Sequence, residues 1–319
     1  MKKNIILTIC ILFILSAIIA NPQHYISVTL SAINTWGTIL LPSLLPFFIF
    51  TKMLTKLGCV ENITSIFSPI TTNIYKNSKL SSYTFFMSIL TGYPVGSKLI
   101  ADLHSENKLT NSQACRCLTF CSNSGPMFIL GSVGISMLYS KTSGYIMLIS
   151  HIIGALINGI LYRNKKLKEH SLPNQFQPHQ KDTDNLLSSS VLDSITSIML
   201  VGGIIVVAFI IIEIFQNINL FYPLTKCLSF FNIPEPITSS VINGLFEITK
   251  GTLSISKLNI SQDLKTIICS TLIAFGGFCT LFQSMAFVKK FCTFRFMLLQ
   301  KTTHALFSCV VSVVLVMIF

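Results

Sequence analysis

Two lysines stand inside stretches that otherwise read as lipid-facing. Lys98 closes "TGYPVGSK", residues 91–98, which is flanked by "SSYTFFMSIL" and "LIA"; Lys250 lies in "GLFEITKG", residues 244–251. An ammonium near mid-membrane costs about 2.5–3.5 kcal/mol on insertion scales, so it is seldom kept unless paired or used. Asp102 and Glu106 follow Lys98 closely, and a lysine at that depth can also snorkel to the interface. Glu247 precedes Lys250 by three residues on the same helical face, where the two can neutralise each other. Thr249 between them adds a hydroxyl.

The residues around these charges break helices. Gly92, Tyr93, Pro94, Gly96 and Ser97 lead up to Lys98; "CSNSGP" places Ser122, Asn123 and Ser124 just before Gly125 and Pro126; Gly276 and Gly277 interrupt "IAFGGFCTLFQ". A break frees backbone N–H and C=O groups that cannot face lipid, so it must be buried in protein or line a wet cavity. The plainer role of such small residues is close helix packing. If half-helices meet at the breaks, their N-terminal N–H groups favour an anion, and two lysines would add to that field. A small carboxylate is the simplest ligand for such a site. Glu213 reads as interfacial, and His151, alone in "MLISHIIGAL", as a helix contact.

These residues need membrane helices to hold them, and the composition supplies them. Of 319 residues, 51% are apolar and only 11% charged, against about a quarter charged in soluble domains. Windows 4–23, 25–51, 81–97, 117–138, 142–161, 194–212, 266–288 and 302–319 lack Asp, Glu, Lys and Arg. Each is close to the length that crosses a bilayer. About eight or nine transmembrane or re-entrant helices are expected. The first window is read as a retained span, residues 1–24, although its basic start and small Ala20 also fit a cleavable signal. The net charge of +12 lies in lysines beside spans, as orientation signals do, so nucleic acid is not an expected partner. Cys115, Cys117 and Cys121 have no accompanying His and read as packing residues, with no metal or cofactor expected.

The polar stretch "RNKKLKEHSLPNQFQPHQKDTD" near the middle reads as part of a cytoplasmic linker, residues 163–190. It divides the chain into residues 25–162 and 191–319, which share landmarks in the same order. "GTILLPSLLPFFIF" is answered by "SIMLVGGIIVVAFI", Pro69 by Pro223, Lys98 by Lys250, and Ser124-Gly125 by Gly276-Gly277. With "MKK" cytoplasmic and the linker cytoplasmic, the span at 194–212 runs opposite to its partner in the first half. The same rule places "KKFCTFRFMLLQK", residues 289–301, inside and the last span leading outwards. The expected fold is therefore an all-α polytopic membrane protein of two inverted repeats with broken helices, a framework of many secondary transporters.

"GYPVGSK" is not a phosphate loop, which needs G-x4-G-K-[ST] between a strand and a helix. The absence of HExxH, GxSxG and paired aspartates gives no support to an enzyme.

"LLPSLLPFFIF", "TGYPVGSK", "CSNSGPMFILGSVG" and "GLFEITKG" resemble the YlbJ-type sporulation integral membrane proteins, within the wider group carrying the nucleoside-recognition Gate domain. The resemblance implies a transporter in the mother-cell-derived outer forespore membrane that moves dipicolinate, a small aromatic dicarboxylate, out of the mother cell. Gate domains also occur in nucleoside transporters, in ferrous iron permeases and in spore maturation proteins, so substrate class does not follow from them alone. A nucleoside or other neutral-solute carrier and a non-transporting sporulation assembly factor are the alternatives. Expected partners are a small anionic substrate and the lipid bilayer, with a homo-oligomer or other sporulation membrane proteins left open. The Gly276-Gly277 break lacks the Ser-Asn-Ser of the first copy, so any site is asymmetric.

Overall fold

The computed structural model describes residues 2–57, 68–164, 185–229 and 233–319, and the regular structure of these residues is helical throughout. Most of the expected linker at 163–190 lies outside the described residues, as do residues 58–67. Five of the described helices are long and apolar enough to cross a membrane: Pro22–Lys56, Lys141–Tyr162, Leu186–Asn217, Gln262–Val288 and Phe294–Ile318. The chain is an integral membrane protein. Its outward faces are apolar, as lipid requires: Ile6 and Ile19 on α1 (Lys2–Ala20) are 63% and 76% exposed.

The first long rod joins α2 (Pro22–Thr35) to α3 (Leu41–Lys56) through a π-helical turn at Trp36–Leu40. Pro42 and Pro46 each withdraw a backbone donor, and the rod widens immediately before them. After residue 67 come α4 (Leu80–Thr91) and α5 (Val95–Ser105). A Cβ built on Gly96 would lie 2.8 Å from that of Ser88. Eight residues of continuous helix would separate the two by about 12 Å, so the chain reverses at residues 92–94. Each arm, of 12 and 11 residues, reaches under about 20 Å and stops short of the hydrocarbon thickness of about 30 Å. The window 81–97, expected as one pass, is thus a helical hairpin.

The next helix is broken rather than reversed: α6 (Asn111–Cys121), opened by a Thr110–Gln113 capping box, unwinds over residues 122–125, resumes at Pro126 and runs as π-helix over Phe128–Met137. A long helix, α7 (Lys141–Tyr162), completes the first half.

The second half repeats this order. A rod, α8 (Leu186–Asn217), and a short helix, α9 (Tyr222–Ser229), lead to a hairpin of α10 (Glu235–Phe246) and α11 (Ile248–Ser256). A broken helix follows, α12 (Gln262–Phe275) and α13 (Gly277–Val288), which swivels at Gly276 with φ +88° and Gly277 with φ +73°. The last helix is α14 (Phe294–Ile318). Residues 294–301, expected as a cytoplasmic flank, are the first turns of that helix.

Polar contacts between helices hold the centre. The amide of Asn158 donates to the carbonyls of Thr119 (2.8 Å) and Gln300 (3.1 Å), joining α6, α7 and α14. Ser150 meets Ser270 at 2.6 Å, and Ser270 meets Ser308 at 3.2 Å. Such contacts average about 0.6 kcal/mol each in membranes. The two rods meet where the Trp36 indole lies over Gly202 and donates to the Ile198 carbonyl at 3.0 Å.

Candidate functional site

Both hairpin tips, the first helix break and the helix that follows the second break converge on one cavity. The first tip contributes Thr91, Gly92 and Tyr93; the first break, Ser124, Gly125 and Met127; the second tip, Glu247, Ile248 and Thr249; and α13, Cys279, Thr280 and Gln283. Phe47 and Phe48 of α3 with Val201 and Ile205 of α8 form apolar walls. The cavity has a volume of about 90 Å³ and is partly open.

Glycine makes this convergence possible. A Cβ on Gly92, whose φ is +72°, would sit 2.5 Å from the Gly125 backbone nitrogen, and one on Gly251 would overlap the Gly244 Cα. The first pair seats a tip on a break, and the second closes the arms of the other hairpin.

The helix ends set the electrostatics. Glu247, only 4% exposed, caps its own helix by accepting the Lys250 backbone N–H at 2.7 Å. That carboxylate answers the positive end of α11. The helices beginning after the first break and at Gly277 carry no side-chain cap. The Thr280 hydroxyl turns back onto the Gly276 carbonyl, and the first turn of α13 borders the cavity through Cys279 and Thr280. The cavity therefore combines one carboxylate with two uncapped helix N-termini.

Of the residues singled out from sequence, Gly92, Tyr93, Ser124, Gly125, Glu247 and Thr249 line this space. Gly96 packs its backbone against the Cys121 carbonyl, and Ser97 and Ser122 are buried behind the wall. Asn123, also buried, donates to Ser88 Oγ (3.3 Å) and the Phe120 carbonyl (2.8 Å). Pro94 forms the turn of the first tip, Gly276 lies beside the Tyr93 hydroxyl, and Gly277 beside the Phe246 carbonyl.

Neither lysine lines the cavity. Lys98 is exposed on α5. Lys250 turns away from Glu247 and donates to Glu213 Oε2 at 3.1 Å, while Glu213 Oε1 meets His24 Nε2 at 3.2 Å. Glu213, expected at the interface, is thus the anion between two partners, and Glu247 serves Lys250's backbone instead of its ammonium. The cavity side of each tip is taken by the residues before the lysine, Gly92 and Tyr93 at the first and Glu247, Ile248 and Thr249 at the second.

A different lysine was missed. Lys301 on α14 is 1% exposed and donates to Tyr93 Oη at 2.6 Å and to the Ser122 carbonyl at 2.9 Å. His304 follows one turn later at 3.4 Å, and its Nε2 meets the His151 carbonyl at 3.0 Å. His151 is a helix contact, as expected: its Nε2 accepts the Ser124 N–H at 3.0 Å. The available signal was "QKTTH", a lysine and histidine at i, i+3; orientation by positive charge absorbed it.

No model of a known protein family matches the chain. The chain is similar to the sporulation integral membrane protein YlbJ of Bacillus subtilis (strain 168), at 26% identity over 290 residues, covering 84% of this chain and 71% of that protein. It also resembles a solved structure of a doubly substituted CNTnw in an outward-facing state, with TM-score 0.58 and 13% identity over 89% of this chain and 77% of that one. At that identity the second likeness shows the fold: an all-helical membrane architecture shared with CNTnw, in a chain whose sequence is similar to a sporulation membrane protein.

Proposed function

We propose that the chain is a secondary transporter built from two inverted repeats, and that it carries dipicolinate out of the mother cell across the outer forespore membrane by alternating access. The observation that carries the reading is the cavity itself. Two hairpin tips, the first break and α13 border it, aromatic walls at Phe47, Phe48 and Tyr93 suit a flat ring, and two uncapped helix N-termini offer N–H groups to carboxylates. The similarity to a sporulation membrane protein and the CNTnw fold support the same reading. The anion would be held by backbone N–H groups of Gly125, Met127 and Cys279, not by Lys98 or Lys250. The repeated order of rod, hairpin, broken helix and long helix supports the duplication, and the flanking lysines support inversion with a cytoplasmic N-terminus.

One observation favours a second reading. Glu247 is the single charged side chain among the residues lining the cavity, and a carboxylate there suits a neutral solute bearing hydroxyl donors, such as a nucleoside. The two readings part in proteoliposomes loaded with the purified chain. Dipicolinate as substrate predicts saturable dipicolinate uptake that survives or rises in Glu247→Gln. The neutral-solute reading predicts uridine uptake that falls about tenfold in the same variant. A folded protein that carries neither solute would contradict both.

A further inference from the structure

We infer that Lys301 is a tethered cation: its ammonium occupies the carbonyl-bearing break of the first broken helix and takes the part of a free sodium or potassium ion there. Unwound carbonyls at a broken membrane helix are where transporters coordinate monovalent cations, because the freed oxygens need a positive partner. Here that oxygen is the Ser122 carbonyl, and it already has one in Lys301 Nζ at 2.9 Å.

The hydrogen-bond geometry suits an ammonium. The His151 carbonyl can only accept, so His304 Nε2 carries the hydrogen and Nδ1 of a neutral ring is left as an acceptor, facing Lys301 at 3.4 Å. The Tyr93 hydroxyl donates to the Ile273 carbonyl at 3.3 Å and so accepts from Lys301 at 2.6 Å. Three acceptors therefore surround Nζ, which matches the three donors of an ammonium. The Tyr93 ring adds its face, 4.7 Å from Nζ to the centroid. Among the described residues the ion pairs join Lys250 and His24 to Glu213, Lys56 to Asp193 and Lys108 to Glu106; none includes Lys301. The ammonium rests on neutral oxygens and an imidazole, the ligand set of a bound monovalent ion. It ties α14 to the first tip and the first break at once, whichever solute is carried.

The test is thermal unfolding of the full chain in detergent, in sodium, potassium, choline or methylammonium chloride at equal ionic strength. Wild-type Tm should agree across the four salts within about 1 °C. Lys301→Ala vacates the place of the ammonium, and sodium or methylammonium should then raise its Tm over choline by about 3 °C or more, saturably. Lys98→Ala should show no salt preference. A saturable, sodium-specific rise in the wild type would overturn the inference, as would a folded Lys301→Ala indifferent to every salt. If Lys301→Ala does not fold, the wild-type arm decides alone, because a free-ion site would appear there.

Discussion

The two hairpin tips share a backbone plan and carry opposite charges. Behind the first tip, Tyr93 and the Ser122 carbonyl hold the buried ammonium of Lys301, which comes from the last helix. At the second, Glu247 is buried and spends its carboxylate on its own helix, while Lys250 leaves for Glu213. The first tip is therefore fastened by α14, whereas the second is capped from within and tied to α8 through Lys250–Glu213 and Gln216–Asn243. Repetition of geometry fixed where the backbone opens; individual side chains then decided how each opening is held. The two tips are thus held by different helices, α14 for the first and α8 for the second.

The glycine contacts offer the most severe way to break this comparison. Gly251→Ala drives a methyl into the Gly244 Cα and should cost about 3 kcal/mol or more, seen as lost folded yield or a much lower Tm. Gly125→Ala meets nothing nearer than 3.6 Å and should stay within about 1 kcal/mol of wild type. Equal effects would mean that the close approach is not what positions the tips.

Next in size is Lys301→Met, which leaves the Ser122 carbonyl without its donor. It should lower stability by about 2 kcal/mol and solute flux at least tenfold, while Lys98→Gln changes flux less than about twofold. A smaller loss is expected at the second tip: Glu247→Ala removes a cap worth about 1 kcal/mol, and Glu247→Gln, which keeps an acceptor, should recover most of it in the same unfolding assay. The smallest effect belongs to the Lys250–Glu213 pair, whose side chains are 13% and 20% exposed. A double-mutant cycle should give coupling of about 1 kcal/mol or less, weakening with added salt.

Much of this architecture was legible beforehand. Charge-free windows located the long helices, and the Gly-Pro and Ser-Asn-Ser signals located both the first tip and the first break. The reversal at residues 92–94 was not legible, because a hairpin and a kinked span share the same apolar flanks and the same breakers. The roles of Lys98 and Lys250 were not legible either, since spacing along the chain does not say which face of its helix each side chain leaves from. Lys301 was hidden for a further reason: a lysine near "KKFCTFR" looks like a topogenic charge until the helix is seen to begin at Phe294.

The central claim is that a solute binds between the tips, and Cys279 lines that space while Cys10 lies exposed on α1. The direct measurement is the rate at which a maleimide modifies each thiol in the reconstituted full chain, read by mass spectrometry with and without saturating dipicolinate or uridine. Binding between the tips predicts that one of these solutes slows modification of Cys279 about fivefold or more and leaves Cys10 unchanged. Equal rates at Cys279 with either solute and with none would contradict it.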